Sequence, residues 1–420
     1  SLLALAEERP RLPRTLERTL AELLAMSVWF SASAVVPVLT REWLLDENTR
    51  SWLTLSVQLG FVLGALTAAL LNVADIVPTH LLFFISAVIA AIANGWIAWL
   101  GSDVFIALTL RFVTGFCLAG VYPVGIKIMA TWCKEDRGLG IGLLVGALTL
   151  GSATPHLVNA LGGISDWRTV IYLTSLFASI GGVIALLFVR EGPLSSKAPP
   201  FDWKIVGKVW TQPGLRLANF GYFGHMWELY AMWTWIPLFL AASFAAMRVE
   251  DAPRWAAFAA FLVIGIGSLS SLLAGKWADE LGRTRVTIFA LTISGICCVL
   301  SGFLFVSTPW LITLLALIWG FAVIADSAQF SACVSELAPR EYIGTALTLQ
   351  TSLGFLLTLL SIRLIPLIVN VIGWQWSFSI LAVGPVFGVW AMWRLRRSPD
   401  ASRRRPSPSP VRPRARSGPA

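Results

Sequence analysis

Six ionisable side chains stand inside otherwise apolar runs of this chain: Arg111, His156, His225, Glu228, Asp326 and Arg363. A charge in a low-dielectric interior is costly, so such residues face a cavity, pair with one another or carry function. Their types suit two kinds of chemistry, carrying a proton and holding a charged solute. His225 and Glu228 are three residues apart, on one face of a helix, and Tyr222, Met232 and Trp235 roughly continue that face. An imidazole beside a carboxyl can take up and release a proton and couple that step to a solute; the other reading is a static hydrogen-bonded pair between two helices. Arg111 is a fixed cation suited to an anionic solute or to setting a carboxylate's charge. Its other readings are a structural salt bridge and snorkelling toward water. Asp326 and Gln329 share a helical face, and the rival roles for Asp326 are a helix-end cap or a pair with Lys127. His156, just after Pro155, reads as a packing residue, and Arg363, near the end of its run, as a snorkelling one.

Other chemistries are not indicated. No Walker loop, zinc motif or nucleophile elbow is present, so no catalytic residue, metal or cofactor is expected. Cys117, Cys133, Cys297, Cys298 and Cys333 lack metal-ligand spacing and read as small buried hydrophobes. The Gly138-Leu-Gly140-Ile-Gly142 stretch follows no strand and opens an apolar run, which rules out a dinucleotide loop; Gly138, Gly142 and Gly146, every fourth residue, suit close helix packing.

The elements that must position these groups are membrane spans. The chain is 420 residues long, 56% hydrophobic and 13% charged, with a mean hydropathy of +0.74; a soluble domain carries about 25% charged residues. Twenty Trp and 24 Phe fit interfacial belts or a cavity lining. Hydrocarbon about 30 Å thick needs about 20 apolar residues. Twelve such spans are expected, near 19–40, 50–73, 80–100, 103–131, 138–162, 167–189, 216–242, 254–275, 285–306, 309–333, 341–366 and 373–394. The first is expected to act as its own insertion signal. Lys and Arg number 25 in the termini and the links that share their side, against 5 in the alternate loops. That bias places both termini in the cytoplasm and accounts for the net charge of +9 without a nucleic-acid partner. The basic, Pro- and Ser-rich tail is expected to be disordered, as a topology anchor or in touch with anionic lipid.

The spans repeat. Met26 to Pro37 aligns with Met226 to Pro237 without gaps, Ala74-Asp75 with Ala278-Asp279 and Gly115-Phe116 with Gly320-Phe321, at offsets of 200, 204 and 205. Three matches in order point to a duplicated six-span unit. Parallel repeats around a midplane site are a transporter architecture. The expected organisation is an N-terminal segment 1–18, a six-helix half 19–190, a linker 191–215 with a surface helix between Phe201 and Thr211, a second half 216–394 and the tail 395–420. The fold class is an all-α membrane protein of twelve transmembrane helices in two pseudo-symmetric six-helix bundles.

Between the eighth and ninth spans the chain reads Gly275-Lys-Trp-Ala-Asp279-Glu-Leu-Gly282-Arg283-Thr-Arg285. This is similar to the cytoplasmic loop signature of the major facilitator superfamily. Arg111-Phe-Val-Thr-Gly115-Phe-Cys-Leu-Ala119-Gly120 resembles that family's fourth-helix signature. With twelve spans and a central linker, the resemblance covers nearly the whole chain. It implies that the loop helps latch one closed arrangement, and that spans one, four, seven and ten line the cavity. The matching first-half loop, Asn72 to His80, keeps Asp75 but no glycine, Lys or Arg, so Asp279 with Arg283 is expected to carry the latch alone. The fifth span, with Gly138, Gly142, Gly146, Gly151 and Pro155, only partly resembles the family's antiporter signature.

The leading expectation is therefore secondary transport of a small solute by alternating access, proton-coupled, from a site of Arg111, Tyr222, His225, Glu228, Trp235, Asp326 and Gln329, gated by Asp75, Gly275, Asp279, Gly282, Arg283 and Arg285. Arg111 favours a small organic or inorganic anion as solute. Proton-driven export of a lipophilic cation is the alternative, and a non-transporting sensor or intramembrane enzyme is the alternative of another class. The expected partners are the solute, protons and membrane lipid, for a monomer in a bacterial inner membrane.

Overall fold

Among the described residues of the computed structural model, twelve helices are long and apolar enough to cross a membrane. They are Thr15–Glu42, Asn48–Leu70, Thr79–Leu100, Val104–Met129, Gly140–Gly162, Trp167–Phe188, Pro213–Ala246, Ala252–Leu281, Arg283–Leu304, Pro309–Leu337, Ile343–Ile372 and Ser377–Arg397. The structure describes residues 11–100, 103–132, 137–163, 166–193, 203–339 and 343–399. The N-terminal ten residues, 194–202 of the linker and the basic tail from 400 lie outside the described residues.

Local sequence explains where spans begin and end. Asp46, Asp103 and Asp166 cap the second, fourth and sixth spans, accepting from the main-chain N–H of Thr49, Ile106 and Arg168 at 2.8, 3.1 and 3.1 Å. Pro213, Pro253 and Pro309 sit in first turns, where a missing N–H costs nothing. Gly282 closes the eighth span at φ 91°, a conformation that favours glycine. The linker helix, Trp203–Thr211, packs on the seventh and eleventh spans.

The packing repeats with the sequence. Spans one–five, one–six, two–four, three–four and three–six pack together; so do seven–eleven, seven–twelve, eight–ten, nine–ten and nine–twelve. Gly115 lies under the Val57 carbonyl and Gly320 under the Val263 carbonyl, contacts too close for any side chain. The two six-helix bundles meet where the second span packs on the eleventh and the fifth on the eighth. Outward-facing Trp99, Phe105, Phe289, Phe303 and Leu360 give the bundle its apolar exterior.

Three spans are interrupted near their middle. The first runs as helix over Arg11–Met26, turns through 27–30 and resumes over Ser31–Glu42. The fourth breaks between Val104–Leu118 and Tyr122–Ala130; Pro123 lacks the N–H that would bond Ala119, four residues back. The tenth breaks between Pro309–Ala325 and Ser327–Leu337, with Asp326 at the joint. The fourth and tenth breaks fall at repeat-related positions, Val121 and Asp326. The first break has no counterpart, because the seventh span is helical throughout Pro213–Ala246.

Candidate functional site

Breaking a helix in an apolar interior frees carbonyls that need donors. Arg111 supplies them for the first span. Its side chain is fully buried. Nη1 donates to Val28 O at 2.8 Å, Ser31 Oγ at 3.1 Å and Asn94 Oδ1 at 3.2 Å, Nε to Leu53 O at 3.2 Å, and Nη2 to Trp29 O. Ser31 Oγ donates to Asn94 Oδ1 at 2.6 Å, and Asn94 Nδ2 to Ser175 Oγ at 2.9 Å, which ties the sixth span to the same network. Every guanidinium nitrogen is engaged by this chain.

The expected pair of His225 and Glu228 is not formed. Their faces on the seventh span diverge enough for each to find its own partners. His225 Nδ1 lies 2.9 Å from Asp326 Oδ1 at the break of the tenth span, both side chains 1% exposed. Tyr222 and Phe330 flank the imidazole, with ring centroids 6.0 and 5.5 Å away. Glu228 turns into its own bundle, where it accepts from Ser294 Oγ at 2.9 Å, Cys298 Sγ at 3.2 Å and Trp319 Nε1 at 2.5 Å. Trp235 donates to Ile362 O at 2.9 Å and stays within that bundle. Gln329 accepts from Arg283 Nη1 at 2.8 Å. His225, Asp326 and Tyr222 are thus brought together, while Arg111, Glu228, Trp235 and Gln329 stand apart from them.

Several groups meet at the junction of the two bundles. Trp29 and Phe30 of the first span and Phe61 of the second mesh with Tyr230 and Trp233 of the seventh and Phe355 of the eleventh. Phe61–Phe355 and Tyr230–Phe355 centroids are 4.8 and 4.9 Å apart. Within this buried region Trp29 Nε1, Trp233 Nε1 and both amide atoms of Gln58 have no hydrogen-bond partner in the chain. Glu22, fully buried in the first span, has neither carboxylate oxygen bonded, and neither nitrogen of the buried His156 is bonded. Buried polar atoms are rarely left so, and where they cluster they point to a ligand or water site. The signal for Glu22 was in the sequence: the offset of 200 aligns it with Tyr222.

At the end that carries residues 11 and 399, each bundle has an ionic contact made near the link after its second span. Lys127 of the fourth span bonds Asp75 Oδ1 at 2.5 Å and Ala74 O at 2.7 Å. This corrects the expectation that Asp279 with Arg283 acts alone: the first-half loop lacks a cation, and the span supplies one. It also removes Lys127 as a partner for Asp326. In the second bundle Arg283 donates to Glu336 Oε1 at 2.5 Å and lies 3.8 Å from the exposed Asp279. Gly275 falls in the last turns of the eighth span, and Arg285 is exposed at the start of the ninth. Among the described residues no cluster of three His, Cys, Asp or Glu could hold a metal ion.

A family model described as Major Facilitator Superfamily matches residues 19–361 and 220–419. The "Probable sulfoacetate transporter SauU" of Cupriavidus necator is 23% identical over 243 residues, 52% of this chain and 54% of that protein. The "MFS-type transporter oryF" of Aspergillus oryzae is 32% identical over 100 residues, 23% of this chain and 21% of that protein. The chain thus spans about half or less of the length of these curated relatives. The crystal structure of the nucleoside transporter NupG superposes with a TM-score of 0.71 at 16% identity, covering 91% of this chain and 99% of that one. That likeness is one of fold.

Proposed function

The chain belongs to the major facilitator superfamily, and on that premise we propose that it moves a small solute by alternating access, coupled to protons through His225 and Asp326. The observation that carries this reading is the buried imidazole–carboxylate contact of 2.9 Å at the break of the tenth span. Proton exchange between such groups needs this proximity, and a helix joint beside them gives a place where rocking can change it. Glu228, with three donors of its own, fits a structural part better.

The halves, 19–190 and 216–394, rock about the aromatic centre. The Asp75–Lys127 and Arg283–Glu336 contacts hold the link after the second span and the start of the ninth span to their own bundles as these move. The protein acts as a monomer in a bacterial inner membrane with both termini in the cytoplasm, an orientation supported by the charge bias of the loops. An anionic solute is the reading that the name of SauU favours. It requires a free cation at the centre, and Arg111 is engaged by Val28, Trp29, Leu53, Ser31 and Asn94. The arrangement therefore supports a neutral or cationic solute better.

The test is uptake into proteoliposomes under an imposed pH gradient, with organic anions, neutral solutes and organic cations compared. Proton-driven accumulation of a solute is expected for the natural chain. Asp326→Asn is expected to lose accumulation while keeping solute exchange; Glu228→Gln is expected to keep coupling and to lower unfolding stability by about 1–3 kcal/mol, because one donor then meets an amide N–H. Undiminished accumulation in Asp326→Asn removes the pair from the mechanism.

A further inference from the structure

A second acid lies near the junction of the bundles, outside the His225–Asp326 pair. Glu22 is fully buried in the first span, and its two carboxylate oxygens have no hydrogen-bond donor in the chain. The cations nearest in sequence or on the facing helix are engaged elsewhere: Arg18 lies 4.4 Å from the Trp132 ring centroid, and Lys127 is bonded to Asp75. The carboxylate has a made place, not a chance one. It rests against Gly125 of the fourth span, where a Cβ would stand 2.5 Å from Oε2, so a side chain there would push it out. Tyr122, one turn before Gly125 and just after the break of that span, is within electrostatic reach of Glu22, and Tyr222 of the other bundle is within reach of Tyr122. Glu22 and Tyr222 are the repeat-related positions of spans one and seven.

A buried carboxylate with two free oxygens calls for a partner that brings both positive charge and N–H donors. The phenol ring of Tyr122 within its reach favours a cation further. We propose that Glu22 receives a protonated amino or amidino group of the transported solute, with Tyr122 beside it. The proposal rests on the reading of the chain as a transporter; it adds the chemical class of what is carried and the residue that selects it. Glu22 reads the solute, and His225 with Asp326 handles the proton, so the two acids have separable roles.

Equilibrium binding of radiolabelled benzamidine to the purified full-length chain in detergent, without any pH gradient, tests it. Benzamide, the neutral molecule of the same shape, is the competitor. Benzamidine is expected to bind, and benzamide to compete about tenfold or more less well. Glu22→Gln, its fold checked by thermal unfolding, is expected to weaken benzamidine about tenfold or more. Glu22→Asp keeps the charge but withdraws it and is expected to fall between; it serves if the Gln variant does not fold. Failure of folded natural protein to bind benzamidine, equal competition by benzamide, or natural affinity in both Glu22 variants would overturn the proposal. Failure of the transport reading looks different: benzamidine binds through Glu22, yet no solute accumulates under the pH gradient.

Discussion

Arg111 and Glu228 are both buried charges, and both are satisfied in full by their own bundle. Glu22 and the His225–Asp326 pair are buried as deeply without that supply of donors or acceptors. The difference separates groups that hold the fold from groups free to act on a solute or a proton. Arg111 gives the sharpest check. Arg111→Lys keeps the charge but not the planar fork that reaches Leu53 O, Val28 O and Trp29 O together. A structural role predicts a loss of about 3 kcal/mol or more in unfolding stability, because freed carbonyls remain buried. An anion-binding role predicts natural stability in chemical unfolding and a change in solute affinity alone.

At the scale of elements, an aspartate stands after the second span and its repeat mate at the end of the eighth, Asp75 and Asp279, in different electrical settings. In the first bundle the loop brings the acid and the fourth span the base; in the second the start of the ninth span brings the base, Arg283, and the tenth span the acid, Glu336. Exchanging the partners as Asp75→Lys with Lys127→Asp should restore what either change alone loses, with a coupling on the order of 1 kcal/mol. Transport rate and thermal stability of the four proteins in the cycle measure it. The spans themselves were legible in sequence, since hydropathy over about 20 residues is a property of composition. The break of the first span was not, since Ser27 to Phe30 holds neither Gly nor Pro. It depends on a donor, Arg111, brought from the fourth span. The break of the fourth span had its mark in Pro123. Spacing suggests His225 with Glu228 and offers Asp326 a site role, a helix-end cap or a pair with Lys127; which of these meet is decided by the rotation of three helices about one another, and that no local pattern encodes. The acid at position 22 lies near the start of the expected first span, 19–40, and its alignment with Tyr222 of the seventh span is the mark it carries in the sequence.

For the whole molecule, the fifth–eighth contact tests whether the bundles move against each other. A Cβ at Gly142 would lie 3.0 Å from Ser271 O, in a contact that Ser271 Oγ closes with a 2.9 Å bond to Gly142 O. Cysteines placed at 142 and 271, with the natural cysteines replaced, should stop transport when oxidised and restore it on reduction; unchanged flux in the cross-linked protein would mean that this junction stays shut through the cycle. The same bundles, related by duplication, differ at one place above all. The opened middle of the first helix is closed by Arg111, whose repeat-related position is Ala316, and the seventh helix has no opening to close. Loss of interchangeability follows. A gene carrying the first half twice would bury two guanidinium groups and lack any His–Asp pair; one carrying the second half twice would have two such pairs and no acid at the place of Glu22. Each copy has become the complement of the other, and the single chain that joins them keeps the two parts in equal number in every molecule made.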